Sequence, residues 1–208
     1  KKKQTIIESD GTNVTSPIVG TAYLASEPGG KKFVEIDQKI KLFSSNISIL
    51  DLGSTPGGWS QYISKKNHKK LNIIATDINV MTKINGVSFF QGDFTEKSTQ
   101  ETLINMNNNN RFNVILSDIS PNKSGNKVTD QYIFYDLISN ILEFSKIALI
   151  NEGKIVIKVF HGLGFEDFTN DCRKIFETVK FFKPKACRTD SKETYMIAKN
   201  IRYNSKNE

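Results

Sequence analysis

The sequence predicts an α/β fold with a mostly parallel sheet and helices on both of its faces. From residue 32 onward, short apolar runs alternate with longer segments in which apolar residues have helical spacing. The short runs are almost continuously apolar, which is typical of parallel strands that are buried on both faces. Ligands of such folds bind beyond the carboxyl ends of the strands, so we expect functional residues directly after the apolar runs.

The order of these segments supports the same fold class. The predicted strands are residues 47–52, 71–77, 87–90, 112–118, 154–160, 179–182 and 194–198. Helical spacing is found between them at residues 59–65, 98–106 and 130–149. Between residues 165 and 179, apolar side chains recur every three or four positions, which predicts an amphipathic helix.

The chain is predicted to form one domain with a short segment at each end. A length of 208 residues suffices for a core that needs neither disulfides nor metal. Residues 1–31 are rich in Ser, Thr, Gly and Pro and close on a Pro-Gly-Gly turn signal, so we interpret them as an N-terminal arm. The folded domain is expected at residues 32–202, followed by a tail at residues 203–208.

The charge balance favours a polyanionic partner. The chain has 29 Lys and Arg against 22 Asp and Glu, a net charge of +7, so nucleic acid is the first partner to consider and an anionic membrane surface the second. No apolar run approaches the roughly 20 residues of a membrane-spanning helix. Two cysteines cannot build a four-thiolate metal site. We therefore expect a monomer without metal or membrane, in the cytoplasm by default, with an organelle or the nucleolus as alternatives.

A glycine-rich loop leads from the first predicted strand into the first predicted helix. Glycines let the backbone turn sharply and approach a ligand closely. The loop lacks the Gly-x-Gly-x-x-Gly spacing of dinucleotide sites, and it begins with a carboxylate, which would repel phosphate. A ligand with an amine or a sulfonium suits it better, and a plain strand-to-helix turn is the alternative. The candidate cofactor-binding residues here are Asp51, Gly53, Pro56, Gly57, Gly58 and Trp59.

Three further aspartates come at the ends of successive predicted strands. Asp77, followed by Ile78, is placed to accept hydrogen bonds from both ribose hydroxyls of an adenosine ligand. Asp93 is placed to accept from an adenine amino group, with Phe94 beside the ring. Asp118 ends the fourth strand. Each of them alone could be a solvated strand-end residue, but together they place carboxylates at one edge of the sheet.

Two further charged residues occupy notable positions in the second half of the chain. Lys158 lies inside an otherwise apolar strand, where a lysine is costly to bury unless it is paired or lines a cleft. The alternative is a lysine of an edge strand that reaches solvent. Glu193 precedes the last predicted strand, where a solvated charge is the ordinary interpretation.

Several separate motifs resemble the FtsJ/RrmJ-type ribosomal RNA 2′-O-ribose methyltransferases. They are residues 51–60, 117–122 with 124–125, 156–162, 183–186 and 191–195, and they follow the family's order. The resemblance implies a Rossmann-like fold with a seven-stranded sheet. It also implies S-adenosyl-L-methionine as the methyl donor and RNA as the substrate.

The resemblance further implies a catalytic set of Lys, Asp, Lys and Glu, which corresponds here to Lys32, Asp118, Lys158 and Glu193. The family's usual basic lead-in is missing before Lys32, so Lys31 is the alternative for the first lysine. Lys158 is the candidate base that removes the proton from the ribose hydroxyl. Alternatively, it orients the hydroxyl, and the proton leaves late to water or a neighbouring group.

The implied reaction is methylation of a ribose 2′-hydroxyl, with a uridine of large-subunit ribosomal RNA as the expected target. A messenger-RNA cap 2′-O-methyltransferase is the alternative within this class, and a non-catalytic RNA-binding protein of the same fold is the alternative from another class. The loop with Pro56 disfavours a dehydrogenase. The basic residues expected on an RNA-binding surface are Lys65, Lys66, Lys69, Lys70, Lys183, Lys185 and Arg188.

Overall fold

A computed structural model of the chain describes residues 30–66, 70–120, 124–188 and 191–202. Its strands are β1 (Ser48–Leu52), β2 (Asn72–Asp77), β3 (Val87–Gln91), β4 (Phe112–Ser117), β5 (Leu149–Phe160), β6 (Phe176–Phe182) and β7 (Glu193–Ile201). Its helices are α1 (Gly30–Ile40), α2 (Gly58–Ser64), α3 (Lys97–Met106), α4 (Lys127–Ala148) and α5 (Phe165–Ile175). Nearly all of the predicted arm and the whole predicted tail lie outside the described residues, so the domain boundaries stay predictions.

The strands form one sheet in the order β3-β2-β1-β4-β5-β7-β6. β1 pairs in parallel with β2 and β4, and the pairs β2–β3 and β4–β5 are also parallel. β7 runs antiparallel to both β5 and β6. The chain moves outward from β1 to β3 and then returns to β4 on the other side of β1. A ligand of an open α/β sheet binds where the strand order reverses, which is beyond the carboxyl ends of β1 and β4.

Helices cover both faces of the sheet, as the continuous apolar strands predict. Successive residues of β1 alternate between two cores, with Ile49 in one and Leu50 in the other. The core with Ile49 is completed by α1 and α2 through Phe33, Ile36, Trp59 and Ile63. The core with Leu50 is completed by α3, α4 and α5 through Leu103, Phe134, Ile138 and Phe168.

Two element boundaries and one additional helix are the main differences from the prediction. The helix predicted at residues 165–179 ends at Ile175, because from Phe176 onward the chain pairs with β7 as β6. β5 begins at Leu149, directly after α4, and is longer than predicted. No helix was predicted at residues 30–40, where the structure has α1 with Phe33 and Ile36 in the core. In each case, contacts with distant parts of the chain determine the secondary structure, and the local sequence pattern alone does not.

Candidate active site

The four residues of the predicted catalytic set meet beyond the carboxyl ends of β4 and β5. Lys32 Nζ on α1 lies 2.7 and 2.9 Å from the two carboxylate oxygens of Glu193, the first residue of β7. Lys158 Nζ on β5 lies 3.2 Å from Oδ1 of Asp118, which directly follows β4. Segments far apart in sequence thus supply two neighbouring ion pairs.

The hydroxyl of Tyr195 joins these two ion pairs. It lies 2.9 Å from Glu193 Oε1 and 3.2 Å from Asp118 Oδ1. A hydroxyl donates one hydrogen bond at a time, so the two carboxylates share it. Tyr195 is fully buried and follows Glu193 by two positions on β7, so both side chains lie on the same face of the sheet. Sequence reasoning missed Tyr195, although this two-residue spacing was a usable signal.

The pair of Lys32 and Glu193 is charged at neutral pH. Burial acts to raise the pKa of Glu193, but hydrogen bonds from Lys32 and Tyr195 outweigh it and hold the pKa below its usual range. Burial acts to lower the pKa of Lys32, and the hydrogen bond and charge of Glu193 outweigh it and raise the pKa. Burial raises the pKa of the nearby Cys187 thiol to about 11, so this thiol stays protonated and donates to Glu193. Lys31 is exposed, so the geometry favours Lys32 as the first lysine.

Lys158 is held by Asp118 in the interior of the sheet. It is 8% exposed, and β5 has β4 and β7 on either side, so the alternative of an edge-strand lysine that reaches solvent is wrong. Its Nζ forms an ion pair with the carboxylate of Asp118 and donates, over 2.5 Å, to the backbone carbonyl of the same residue. Burial raises the pKa of Asp118, and the charge of Lys158 counteracts this rise. Since an ammonium has three donors, one remains for a substrate group.

The first half of the glycine-rich loop packs closely over the ends of β1 and β2. Gly53 has a φ of +69°, and a Cβ there would lie 2.0 Å from Ile119 Cγ1, so no other residue is accommodated without strain. The N–H of Gly53 donates to the carbonyl of Thr76 over 2.9 Å. The N–H of Thr55 donates to Asp77 Oδ2 over 3.0 Å. These bonds fix the loop to the end of β2.

The second half of the loop turns into α2 and contains a polar atom without a partner. Gly57 has a φ of +117°, and a Cβ there would lie 2.7 Å from Ile84 Cδ1. The peptide bond before Pro56 is cis. Ser54 Oγ is buried and makes no hydrogen bond to any residue within the described ranges. A tight backbone turn and a buried hydroxyl of this kind suit a polar ligand above the loop.

Asp51 supports the loop from the interior. It is 1% exposed, and its Oδ2 accepts a hydrogen bond of 2.6 Å from the hydroxyl of Ser60 on α2. Burial raises its pKa to about 7; the bond from Ser60 counteracts the rise, and the charges of Asp118 and Asp77 add to it. The carboxylate of Asp51 therefore lies beneath the loop, and its contact with a cofactor stays a prediction.

We expect the substitution Asp51→Asn to stabilise the protein at pH 8 and to have a much smaller effect at pH 5. The carboxyl ionises near pH 3.8 in the unfolded chain and near pH 7 in the folded one. Between these values the unfolded state binds fewer protons, so stability falls as pH rises, by about 1.4 kcal/mol for each pKa unit. Asn keeps an acceptor for Ser60 without the charge. Thermal melts at both pH values measure this, and an equal gain in Tm at both would contradict the assignment.

The residues predicted to bind adenosine differ in burial and in the hydrogen bonds that they already accept within the protein. Asp77 is half-buried and accepts from Thr55, while Ile78 beside it is 64% exposed. Asp93 is exposed, two residues beyond β3, and accepts from the N–H and the hydroxyl of Thr95 over 2.9 and 2.7 Å. A carboxylate has about four acceptor sites. Because the backbone N–H and the side-chain amide of Asn79 also donate to Asp77 Oδ1, Asp77 keeps about one acceptor site for a ligand and Asp93 about two.

The two aromatic residues predicted in the cofactor pocket pack in the core. Trp59 is 3% exposed, and its ring stacks on Phe33 with centroids 4.2 Å apart. Phe94 is 5% exposed and belongs to the core of the other face. Gly58 and Trp59 open α2, so a ligand above the loop meets them through backbone N–H groups, which have no partner within the helix.

A separate open cavity lies at the opposite edge of the sheet. It has a volume of about 690 Å³, and Arg111, before β4, and Arg202, after β7, are among its lining residues. One of its lysines, Lys146, is paired with Glu143 over 2.7 Å. The amino end of β4 and the carboxyl end of the antiparallel β7 mark this edge. The cavity is therefore not part of the candidate active site.

Comparison with solved structures identifies the class of protein. A crystal structure of a ribosomal RNA methyltransferase from Plasmodium falciparum matches with a TM-score of 0.77 at 26% identity, over 85% of this chain and 98% of that one. Human methyltransferase-like protein 13, in complex with SAH, matches with a TM-score of 0.53 at 11% identity, over 77% of this chain and 73% of that one. The second likeness concerns the fold alone. The fold is that of a Rossmann-like methyltransferase.

The family follows from the sequence. Residues 28–201 match the model of the FtsJ-like methyltransferases, and the chain belongs to this family. The ribosomal RNA large subunit methyltransferase E of Buchnera aphidicola is 40% identical over 167 residues, which cover 80% of this chain and 81% of that protein. Its counterpart in Wolbachia pipientis is 42% identical over 167 residues, which cover 80% and 84%.

Family membership confirms the predicted resemblance, the predicted fold and the predicted enzyme class, with S-adenosylmethionine as the methyl donor. The loop around Gly53 and Gly57, with Asp77 and Ile78 at its border, would hold this cofactor. Within the described ranges, no group of three or more His, Cys, Asp and Glu side chains is placed to hold a metal ion. In the same part of the chain, no helix combines the length and the apolar character needed to span a bilayer.

Removal of the Asp77 carboxylate is expected to weaken cofactor binding. Asp77→Ala removes an acceptor at the loop border and should lower the affinity for S-adenosylmethionine by about 1–3 kcal/mol, the usual cost of an unpaired hydrogen-bonding group. Asp171→Ala is the matched control, because it removes an exposed aspartate on α5 that pairs with Lys174. Calorimetric titration measures both variants. Unchanged affinity in Asp77→Ala would exclude Asp77 from the cofactor site.

Proposed function

We propose that this protein transfers the methyl group of S-adenosylmethionine to a ribose 2′-hydroxyl in RNA, with a uridine of large-subunit ribosomal RNA as the target. The observation that carries the proposal is the meeting of Lys32, Asp118, Lys158 and Glu193 in two ion pairs beside the glycine-rich loop. The names of the relatives support ribosomal RNA as the substrate. The net charge of +7 suits a phosphate-rich partner.

The chemistry is an in-line displacement. The cofactor supplies an activated methyl group and a neutral thioether leaving group. The 2′-oxygen forms a bond to the methyl carbon while the carbon–sulfur bond breaks, and the hydroxyl proton leaves. Holding the reacting atoms in line can contribute about 7–11 kcal/mol, so positioning is a large part of the task.

Lys158 is the residue proposed to meet the acceptor hydroxyl. Asp118 holds Lys158 Nζ through an ion pair with its carboxylate and a hydrogen bond to its backbone carbonyl, which restricts the orientation of the amino group. To act as the base, the ammonium of Lys158 first releases one proton to solvent, and the resulting amine then receives the hydroxyl proton as the oxygen–carbon bond forms and the carbon–sulfur bond breaks. In the alternative, Lys158 orients the hydroxyl only, and the proton leaves late to water. Lys32 and Glu193 connect α1 to β7 and place a second charge pair next to the acceptor.

The cations proposed for RNA binding differ in exposure and in their contacts within the protein. Lys66 pairs with Asp37 over 2.8 Å and lies over the ring of Tyr62, so its main role is structural. Lys183 donates to the carbonyl of Ser191 over 2.6 Å. Lys65, Lys70, Lys185 and Arg188 are exposed, and Lys69 lies outside the described residues.

We expect methyl transfer to RNA and none to DNA of the same sequence. DNA lacks the reacting hydroxyl, while its phosphates still allow non-specific binding. Binding to RNA should also weaken steeply with salt, because phosphate contacts release counterions. Transfer of a labelled methyl group, followed by mapping of the modified atom, measures the first point. A methyl group on a base atom would refute the proposed acceptor.

The same assay separates the other candidate functions. Modification of large-subunit ribosomal RNA supports the proposal, whereas modification of capped transcripts alone would favour a cap methyltransferase. RNA binding without methyl transfer would favour a non-catalytic protein. We also propose that the enzyme acts as a monomer where ribosomes are assembled, which means the cytoplasm, or an organelle or the nucleolus. Sedimentation with and without RNA tests the oligomeric state.

A further inference from the structure

Exposed apolar side chains concentrate around the candidate active site. In the part of the chain that the structure describes, large hydrophobic side chains with high exposure are Ile78, Val80, Val128, Tyr132, Ile133, Ile147 and Leu163. All of these except Ile147 lie near the carboxyl edge of the sheet, in the segment after β2, in the first two turns of α4 or in the loop after β5. Ile147 lies at the far end of α4. Exposed apolar surface that is confined to one edge indicates a binding surface.

The first turns of α4 and the loop after β5 form one continuous rim. A Cβ at Gly162 would lie 2.0 Å from Gln131 Nε2, so this loop packs directly against α4. The hydroxyl of Tyr135, one helical turn further on, donates to the carbonyl of Phe160 over 2.5 Å. Phe160 follows Lys158 by two residues on β5. The rim therefore meets β5 two residues beyond Lys158.

Tyr132 is the aromatic residue of this rim, and its ring has no structural task within the described ranges. It is 69% exposed, and no hydrogen bond or ring contact to it is found there. Val128 precedes it by one turn on the same side of α4 and is 50% exposed. Leu163, at 55% exposure, follows the glycine that contacts α4. The ring of Tyr132 is therefore accessible to a ligand at this edge of the sheet.

Charged side chains of both signs flank the rim, because Asp136, one turn after Tyr132 on α4, and Glu166 and Asp167 in the first turn of α5 are also exposed. Lys127 opens α4, and Lys192 lies beside the loop after β5, because its carbonyl accepts from the N–H of His161 over 3.0 Å. The side chains of Lys127, His161 and Lys192 are all exposed. The exposed ring of Tyr132 is complementary to an unpaired nucleobase, and the ammonium groups of Lys127 and Lys192 are complementary to the phosphates beside that base. A protein partner would need a larger apolar area than these few side chains provide.

We propose that Tyr132 stacks on an unpaired base of the RNA next to the acceptor ribose and thereby positions the substrate. This inference rests on the proposed function, because it requires RNA to bind at this edge. Tyr132 is a positioning residue and takes no part in proton transfer. Stacking on an aromatic side chain tolerates any base, so Tyr132 contributes affinity without selecting the sequence.

The test compares Tyr132→Ala, Tyr132→Phe and the control Ile147→Ala, which removes an exposed apolar side chain of the same helix at its far end. A labelled oligouridylate measures binding to RNA, and polyphosphate measures binding to a polyanion without bases. Tyr132→Ala should weaken oligouridylate binding about ten- to a hundredfold and leave polyphosphate binding unchanged. In methyl transfer it should raise KM more than it lowers kcat. Tyr132→Phe, which keeps the ring, and Ile147→Ala should match the parent in both assays.

Three results would overturn the inference: an alanine variant that binds oligouridylate like the parent, an equal loss for polyphosphate, or a phenylalanine variant as weak as alanine. Melting curves and cofactor titration that match the parent confirm that each variant is folded. The methyl-transfer assay of the parent tests the proposed function, and the binding assay of the variants tests the role of Tyr132. A parent without 2′-O-methylation activity can still bind oligouridylate more tightly than Tyr132→Ala. The two hypotheses are therefore tested separately.

Discussion

Lys158→Ala is expected to lower methyl transfer by about 10²–10⁴-fold, the range found for loss of a positioned acid or base. Lys158 is buried and forms an ion pair with Asp118. We propose that it is the group that meets the acceptor hydroxyl. Cofactor affinity should change little, because the residues proposed to hold the adenosine, Asp77 and the loop around Gly53, lie on the other side of β1. Single-turnover transfer of a labelled methyl group, together with a cofactor titration, measures both effects.

Lys158→Arg separates proton removal from positioning. Arginine keeps the charge, but its planar guanidinium stays protonated and cannot accept the hydroxyl proton. Near-parent turnover in this variant would exclude the base role and leave orientation of the hydroxyl. Lys154→Ala is the matched control on the same strand, because Lys154 donates to the backbone carbonyls of Lys41 and Leu42 at the amino end of β5. It should keep the parent's turnover, and melting curves exclude unfolding as the cause of a loss.

Local sequence patterns were sufficient for most of the fold. Strands buried on both faces are continuously apolar, so the central strands were located to within a few residues. The pattern fails where a distant partner decides the structure. Phe176 continues the apolar spacing of α5, yet it pairs with Ile201 as part of β6. The antiparallel direction of β7 depends on β5 and β6 and cannot be read from residues 193–201 alone.

The sequence predicted the charged residues of the candidate site but not the hydrogen bonds that join them. Lys158 was conspicuous as a charge inside an apolar strand, and Asp118 as a polar residue at a strand end. The hydroxyl that joins the two ion pairs belongs to Tyr195, which reads as an ordinary β-strand aromatic in the sequence. Trp59 shows the reverse case. Its place beside the glycine-rich loop predicted a cofactor contact, whereas its indole packs on Phe33.

Glu193→Gln is expected to remove most methyl transfer and to lower the free energy of unfolding by about 1–3 kcal/mol. The carboxylate of Glu193 is 12% exposed, and it binds Lys32 through both oxygens, so the amide leaves a partly buried ammonium without its counter-charge. The link between α1 and β7 then weakens, and Tyr195 shifts its hydrogen bond toward Asp118. Urea titration measures the loss of stability, and initial rates measure the loss of activity.

The pH dependence of this loss identifies its cause. The folded pKa of Glu193 is below its usual 4.5, so the stabilisation by the pair is fully present above pH 4.5 and disappears as pH falls through the folded pKa. The folded pKa of Lys32 is above 10.5, so at the alkaline end the stabilisation persists until pH exceeds that value. The difference between parent and Glu193→Gln should therefore be constant from pH 6 to pH 8 and should shrink in acid. The control Glu143→Gln breaks an exposed pair with Lys146, which should contribute less than about 1 kcal/mol. A Glu193→Gln loss as small as that of the control, or one that is unchanged in acid, would show that the pair with Lys32 does not stabilise the site.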